Sequence, residues 1–419
     1  KNIQSTHKGD GMTIREINVK NFKSLYDVSF QPGKVNVFIG ANGSGKSTIL
    51  EAIGILSGAM TDRVNNSVLQ RKGIRLLILL PKPENWLGKE AYLLFMCLIP
   101  SKFKTMKREG LTVDLGIQWE DGAEYDYSVH MTTPTDDDTW KYHSESVNQD
   151  GNLLWGRSNR SAIQLNNGIG YFMVTETLNG HGCRRMGKYI EKYGIYQPDT
   201  PTLRGTVTDN TQIAPIGLNG GRMADALQDI LKSVDGDMRL GALDIEDVLD
   251  LIDWASGFDI AVPKRANLNP GVPSTRQVIE FKDRFLKANA AFTGYDASEG
   301  ALYVLFMLCM AMHPDSPSMF AIDSFDHALN PRLAKRLTEI FSQLILESQR
   351  TVFMTTHNPL VLDGLDLCND DIRLFAVSRN RDGHAVIDRI QVSQELLESG
   401  QPLSRLWING RLGGVPELI

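Results

Sequence analysis

Residues 40–47 form a phosphate-binding loop, the part of the sequence with the most direct chemical meaning. They read G-A-N-G-S-G-K-S and lie between the apolar run 35–39 and a helix-forming run that begins at Thr48. Glycines in such a loop let backbone N–H groups converge on phosphate oxygens at the positive end of the following helix. We therefore expect a nucleoside triphosphate to be bound by Asn42, Gly43, Ser44, Gly45, Lys46, Ser47 and Thr48.

Two side chains of the loop and one distant acid predict a site for ATP with Mg²⁺. The Lys46 ammonium is expected to reach the β and γ phosphates, and the Ser47 hydroxyl to ligate the metal ion. The apolar run 318–322 ends in Asp323, the position at which ATPases with a parallel sheet hold a carboxylate that binds magnesium through water. We expect Ser47 and Asp323 to meet at one Mg²⁺ ion.

The elements that must position these residues can be read from the apolar pattern. Alternating runs at 14–19 and 26–30 predict strands that lead into the phosphate-loop strand. Alternation between 111 and 158, with turn sequences E-D-G and D-G, predicts antiparallel strands. Helical spacing of apolar residues predicts three helices, at 223–234, 245–254 and 276–290.

Composition restricts the class of protein. The 419 residues are 42% apolar with a formal charge of −6, which argues against coating nucleic acid through the overall field. Basic runs at 102–108 and 184–188 leave local contact with nucleic acid open. Four separated cysteines without a C-x-x-C pair favour a reducing cytoplasm and no zinc site. The apolar runs are shorter than the ~20 residues of a membrane span, and the polar residues 1–11 are expected to be disordered.

The order of motifs along the chain resembles that of the ABC-type ATPases. S-E-G at 298–300 opens an apolar helix, the acid strand ends at Asp323, L-N-P follows at 329–331, and a second strand ends at His357. The similarity is to the soluble branch that contains RecF-type repair proteins, the heads of structural-maintenance-of-chromosomes proteins and the overcoming-lysogenization-defect nucleases. It covers residues 12–60 and 290–419.

This resemblance implies an α/β fold of the P-loop NTPase type, an ABC-ATPase-like head with a parallel core sheet. It implies one domain over 12–419, in which 60–290 is an insertion. The insertion is expected to hold an antiparallel β subdomain at about 111–158 and a helical lobe at about 220–290. No sustained heptad repeat occurs in it, so a compact insertion is expected in place of coiled-coil arms.

The resemblance also implies a site shared between two copies of the chain. In the family, Ser298 and Gly300 would contact the γ phosphate bound by the opposite subunit, and His357 would sense that phosphate. A homodimer or higher oligomer through the ATP sites follows from this arrangement. Taken singly, a serine such as Ser298 is more often a helix N-cap, and a histidine such as His357 is more often a satisfied histidine at a strand end.

The sequence departs from the family at the residue that follows Asp323. Most relatives have a glutamate there that polarises the attacking water, and this chain has Ser324. A hydroxyl cannot act as a general base near neutral pH without activation, so we expect an ATP hydrolase with slow turnover. Asp326 is a candidate substitute base that would act with Asp323 and His357 in catalysis. It is equally consistent with a loop acid or a cap.

The tail resembles that of compact ATPases without coiled coils, many of them encoded in bacterial anti-phage defence systems. The residues that carry this similarity are H-N-P at 357–359, the hairpin 373–390 and the run 406–416. The resemblance implies control of a separate effector protein. No nuclease arrangement of acids is visible after His357, so we expect the nuclease to be another polypeptide. The alternatives are a RecF-like repair or chromosome-associated ATPase and a nucleotide-gated scaffold that does not hydrolyse ATP.

Overall fold

The computed structural model describes most of the chain. The described residues are 11–61, 64–75, 110–132, 140–158, 170, 172, 180–209, 211, 213–233, 239–262, 277–286, 291–391 and 400–413. The basic run predicted at 102–108 and residues 1–10 lie outside them. No helix within these ranges is both long and apolar enough to cross a membrane.

The strands of the described residues, in chain order, are β1 (Met12–Phe22), β2 (Leu25–Phe30), β3 (Val35–Ile39), β4 (Leu111–Trp119), β5 (Glu124–Thr132), β6 (Lys141–Gln149), β7 (Asn152–Ser158), β8 (Ile195–Tyr196), β9 (Arg239–Leu240), β10 (Leu243–Asp244), β11 (Ala255–Ala261), β12 (Val278–Asp283), β13 (Ala291–Thr293), β14 (Met319–Ile322), β15 (Thr351–Thr355), β16 (Ile372–Arg379) and β17 (Ala385–Ile390). The helices are α1 (Lys46–Thr61), α2 (Asn66–Arg71), α3 (Gly180–Ile190), α4 (Thr200–Leu203), α5 (Met223–Ser233), α6 (Ile245–Leu251), α7 (Glu299–Met312), α8 (Pro331–Glu347), α9 (Pro359–Leu362) and α10 (Leu403–Ile408).

A six-stranded sheet in the order β17-β16-β3-β15-β14-β8 forms the centre of the fold. The pairs from β16 to β8 are parallel, and β17 adds an antiparallel edge. All five residues of β3 are buried, as expected for a parallel strand covered on both faces. The predicted α/β fold with a parallel core sheet is confirmed. Its carboxyl edge brings together the ends of β3, β14 and β15.

Two hydrophobic cores lie on the two faces of this sheet, and β3 contributes to both. Val35, Val37 and Ile39 belong to the core that includes most of α7 and α8. Phe38 points the other way, into the core that contains α1 and the antiparallel strands. Because side chains alternate along a strand, one five-residue segment ties the two halves of the molecule together.

A second six-stranded sheet, in the order β2-β1-β4-β5-β6-β7, is antiparallel throughout. It contains the strands predicted between 111 and 158, joined by turns at which Gly122 and Gly151 adopt positive φ angles of 87° and 78°. The sheet also includes β1 and β2, which precede the phosphate-binding loop. The antiparallel subdomain is therefore built from two separate parts of the chain.

The helix predicted at 276–290 is wrong. Where this segment is described, β12 pairs with β11 and β13 in a three-stranded antiparallel sheet. Val278, Phe281 and Phe285 have helical spacing, but Ile279 and Phe281 are the buried residues and they alternate as in a strand. The helix predicted at 245–254 is present as α6 but ends at Leu251, and α5 agrees with the prediction.

Candidate functional site

The phosphate-binding loop leaves β3 and turns into α1, and its glycines are required by local geometry. Gly40, Gly43 and Gly45 have φ angles of 151°, 74° and 121°, a region that L side chains rarely adopt. A Cβ atom at Gly40 would lie 2.1 Å from the Val377 carbonyl oxygen, and one at Gly45 would lie 2.8 Å from Oγ of Ser24. The loop is thus held closely between β16 and the β1–β2 turn.

The side chains of the loop differ in their accessibility. Asn42 and Gly43 are exposed at its tip, whereas Ser44 and Gly45 are buried, and Thr48 is half-buried on α1. This leaves the N–H groups at the tip accessible to an anion. The positive end of the α1 dipole favours negative charge at the same place.

Lys46 is the first residue of α1, and its side chain folds back onto the loop. Its Nζ donates to the carbonyl oxygens of Gly40 and Ala41, both at 2.9 Å. Burial lowers the pKa of Lys46 to about 8, against the opposing charges of Asp323 and Asp326. The ammonium therefore lies in a partly desolvated position, where an additional anion would be attracted strongly.

Asp323 follows β14, and its carboxylate is the most connected group of the site. Oγ of Ser47 donates to Oδ1 at 2.9 Å and approaches Oδ2 at 3.1 Å, although the two residues are 276 positions apart. Oγ1 of Thr355 also donates to Oδ1, at 2.7 Å. A buried carboxylate beside a serine hydroxyl is an oxygen donor set of the kind that suits Mg²⁺. The residues present therefore fit the expected metal ion.

Arg75 is a member of the site that the sequence analysis missed. Its Nη2 donates to Oδ2 of Asp323 at 2.5 Å. Its backbone is fixed, because its N–H donates to Oε1 of Glu51 at 3.2 Å and its carbonyl accepts from Nζ of Lys23 at 3.0 Å. The side chain is nevertheless 63% exposed. No motif surrounds Arg75, so only the three-dimensional structure reveals the contact.

The residues after β14 and β15 form one hydrogen-bonded group. Ser324 has a φ angle of 65°, and its N–H donates to Oγ1 of Thr355 at 2.8 Å. Oδ1 of Asp326 accepts from the hydroxyl of Thr356 at 2.6 Å and from the backbone N–H of His357 at 3.2 Å. Burial and the charge of Lys46 lower the pKa of His357, which favours a neutral imidazole. These contacts favour a role for Asp326 in holding His357 in place.

Ser298 and Gly300 lie at the beginning of α7. Oγ of Ser298 caps the helix by accepting from the N–H of Ala301 at 3.3 Å, and it also accepts from Nε1 of Trp254 at 3.0 Å. Gly300 lies close to the loop before α8, since a Cβ atom there would be 3.3 Å from the carbonyl oxygen of Ala328. Ser298 is therefore the N-cap of α7, and it is also exposed at the positive end of that helix.

The L-N-P segment begins α8. Oδ1 of Asn330 accepts from the N–H of Leu333 at 2.9 Å, and Pro331 occupies the first turn. This is a standard N-terminal arrangement for a helix. The structure thus gives Asn330 a capping role within its own chain.

Two segments of the chain match known protein families. Residues 12–117 match a family described as "AAA ATPase domain". Residues 245–363 match one described as "AAA domain, putative AbiEii toxin, Type IV TA system". The first segment contains Lys46 and Ser47, and the second contains Ser298, Asp323 and His357. The matches therefore fall on the two halves of one site.

A curated relative matches over a short segment. The DNA replication and repair protein RecF of Heliobacterium modesticaldum is 44% identical over 54 residues, which cover 12% of this chain. The match spans about a seventh of that protein's own length, 14%.

Solved structures of structural-maintenance-of-chromosomes heads are also similar. An SmcHead bound to the C-winged helix domain of ScpA is 14% identical, with a TM-score of 0.48 over 92% of this chain and 99% of that chain. The SMC head domain from Thermotoga maritima is 14% identical, with a TM-score of 0.41 over 91% of this chain and 100% of that one.

The assignment rests on the phosphate-binding loop, the Ser47–Asp323 pair at the carboxyl edge of a parallel sheet, and the matches on both halves of the site. The RecF segment agrees with it. Two parts of the chain thus match AAA-type ATPase families, and together these observations support an ABC-type ATPase of the RecF and SMC superfamily.

Proposed function

We propose that this ATPase binds ATP with Mg²⁺ and closes head to head with a second copy of itself, with each ATP between the phosphate-binding loop of one copy and Ser298 of the other. The main support for the nucleotide assignment is the hydrogen bond that the Ser47 hydroxyl donates to the buried Asp323 carboxylate. Support for closure comes from the exposed position of Ser298 at a helix start, which favours an anion.

In this proposal each residue of the site has a defined part. Lys46 binds the β and γ phosphates, and the loop N–H groups hold their oxygens. Ser47 and Asp323 would hold Mg²⁺, which would supply positive charge to the phosphate oxygens. Thr355 orients Asp323 through its 2.7 Å hydrogen bond. Asp326 keeps His357 beside the phosphates through the backbone N–H of that residue.

Hydrolysis is slow in this proposal because Ser324 occupies the position of the usual glutamate. Loss of a positioned general base costs roughly 10²–10⁴ in rate. The closed, ATP-bound form would persist, which suits a switch better than a motor. We propose that this form controls a separate effector, a nuclease, in bacterial anti-phage defence. The resemblance of residues 357–359, 373–390 and 406–416 to ATPases of such systems supports this part of the proposal.

Two alternatives have their own support. The 54-residue match to RecF favours a DNA repair or chromosome-associated ATPase, for which DNA would stimulate the turnover of the purified chain. Ser324 favours a nucleotide-gated scaffold, for which ATP would be retained without turnover. Co-purification of a nuclease encoded beside this gene would favour the leading proposal over both.

Light scattering tests the composite site directly. The parent chain should double in mass with Mg²⁺ and a slowly hydrolysed ATP analogue. Ser298→Arg should bind the analogue as a monomer and remain a monomer, because a bulky cation fills the place of the opposing γ phosphate. Ser29→Arg, at an exposed serine on β2, is the matched control and should dimerise like the parent. A Ser298→Arg variant that also dimerises would contradict the composite site.

A further inference from the structure

The Ser298 hydroxyl accepts two hydrogen bonds, one from the Ala301 N–H at 3.3 Å and one from Nε1 of Trp254 at 3.0 Å. The Ala301 bond is an ordinary helix cap. The Trp254 bond comes from 44 residues earlier in the chain and has no part in capping. We propose that Trp254 is a positioning residue that fixes the Ser298 hydroxyl in the orientation needed to donate to the nucleotide of the opposing copy. This inference rests on the proposed composite site.

The number of donor and acceptor sites on a serine hydroxyl explains why the hydrogen bond from Trp254 matters. A hydroxyl has two acceptor lone pairs and one donor hydrogen. With both lone pairs engaged by N–H donors, the oxygen can form a further bond only through its own hydrogen. An acceptor without donors is then the matching ligand, and a phosphate oxygen is such an acceptor. Without Trp254, one lone pair would be released and the hydroxyl could rotate.

The carboxylate nearest in sequence is engaged elsewhere. Glu299 is the residue after Ser298, and its Oε1 accepts a hydrogen bond from the hydroxyl of Thr200. The same oxygen lies 3.9 Å from Nδ1 of His327. These partners direct Glu299 towards α4 and the loop before α8, so Glu299 does not compete for the Ser298 hydrogen.

Trp254 is held firmly enough to act as a fixed donor. Its ring stacks on Phe292 with centroids 5.1 Å apart and an angle of 24°, and its centroid lies 5.3 Å from that of Phe281. Its carbonyl accepts from the N–H of Arg284 at 3.0 Å. The sheet formed by β11, β12 and β13 therefore supports the indole. This gives the sheet a connection to the nucleotide site through a single hydrogen bond.

Trp254→Phe separates the hydrogen bond from the packing. Phenylalanine keeps a ring on Phe281 and Phe292 and removes only the N–H donor. Trp140→Phe is the matched control, since the Trp140 indole is buried and its Nε1 has no partner among the described residues. We expect Trp254→Phe to bind ATP as a monomer with parent affinity and to dimerise roughly 10- to 100-fold more weakly, because the dimer loses the effect of one oriented hydrogen bond, about 3- to 10-fold, at each of its two sites.

The chemical shift of the Trp254 indole N–H reports on its hydrogen bond to Ser298. It should not depend on Ser298 if Trp254 only packs against its neighbours. The resonance is the signal that disappears from the ¹⁵N–¹H spectrum of Trp254→Phe. Ser298→Ala should shift it upfield because the acceptor is lost, and Mg²⁺ with the slowly hydrolysed analogue should shift it in the parent. A resonance that does not respond to Ser298→Ala would overturn the inference.

The dimerisation data distinguish two kinds of failure. If Ser298→Arg blocks dimerisation while Trp254→Phe behaves like Trp140→Phe, the positioning role is overturned and the composite site stands. If Ser298→Arg dimerises like the parent, the proposed function fails, and the inference fails with it.

Discussion

Nη2 of Arg75 lies 2.5 Å from Oδ2 of Asp323, the carboxylate that also accepts a hydrogen bond from the Ser47 hydroxyl. The guanidinium thus contacts the acid that is expected to hold Mg²⁺. The positive guanidinium repels a metal ion beside the same carboxylate, so we expect metal binding to be easier when the guanidinium is displaced. Because the Arg75 side chain is 63% exposed, little packing opposes that movement.

Arg75→Ala should therefore favour metal binding. We expect the Mg²⁺ concentration at half-maximal ATP binding to fall about two- to fivefold. This matches the free energy typical of an ion pair in which one partner is exposed to solvent. Titration of Mg²⁺ at fixed ATP measures this midpoint. Arg71→Ala, at an exposed arginine of α2, is the control and should leave the midpoint unchanged. A higher midpoint in Arg75→Ala would instead assign Arg75 to nucleotide binding.

Lys46→Ala should abolish nucleotide binding without unfolding the chain. The Lys46 ammonium bonds to two carbonyl oxygens of the loop, so its removal leaves the central sheet intact. Calorimetric titration with ATP and Mg²⁺ should show no binding, and circular dichroism should match the parent. Lys335→Ala, at an exposed lysine of α8, should bind normally. Unchanged ATP affinity in Lys46→Ala would refute the phosphate-loop assignment.

Ser324→Glu should accelerate hydrolysis, by up to roughly 10²–10⁴, because it restores a base for the attacking water. The φ angle of 65° is as unfavourable for serine as for glutamate, so the backbone need not change. Steady-state phosphate release measures the rate. Ser324→Gln is the matched variant, with a similar side chain and no base, and it should stay slow. Equal rates for the Glu and Gln variants would show that another group activates the water.

Asp326→Asn tests whether Asp326 is a base or a support for His357. An asparagine retains an oxygen that can accept from Thr356 and from the His357 N–H. We therefore expect residual hydrolysis in Asp326→Asn to remain within about threefold of the parent, because loss of a positioned base would cost far more. The rate should fall further in Asp326→Ala, which lacks the accepting oxygen. A loss of two orders of magnitude in Asp326→Asn alone would identify the carboxylate as the base.

The sequence predicts those parts of the fold and site whose residues are contiguous or stand in a fixed order along the chain. The phosphate-binding loop is contiguous, and Asp323 ends an apolar strand, so both could be placed before the structure was known. The hairpins between 111 and 158 were predictable because D-G and E-D-G turns interrupt alternating runs.

Long-range contacts account for what the sequence did not reveal. Arg75 and Asp323 are 248 residues apart, and Trp254 and Ser298 are 44 apart, with no motif that links either pair. The segment 276–290 was misassigned because its apolar residues satisfy helical and strand periods alike. The pairing of β12 with β11 and β13 decided between them.

The position of β3 between β15 and β16 has a consequence for synthesis of the protein. Nδ2 of Asn36 on β3 donates to the carbonyl of Val352 on β15, 316 residues later. At about 5–20 residues per second, a ribosome needs roughly 15 to 60 s to make the intervening chain. During that time the phosphate-binding loop lacks the neighbouring strand and the acid that complete its site. The nucleotide pocket of a nascent chain is therefore complete only after β15 has emerged, so the whole site forms late in the synthesis of the chain.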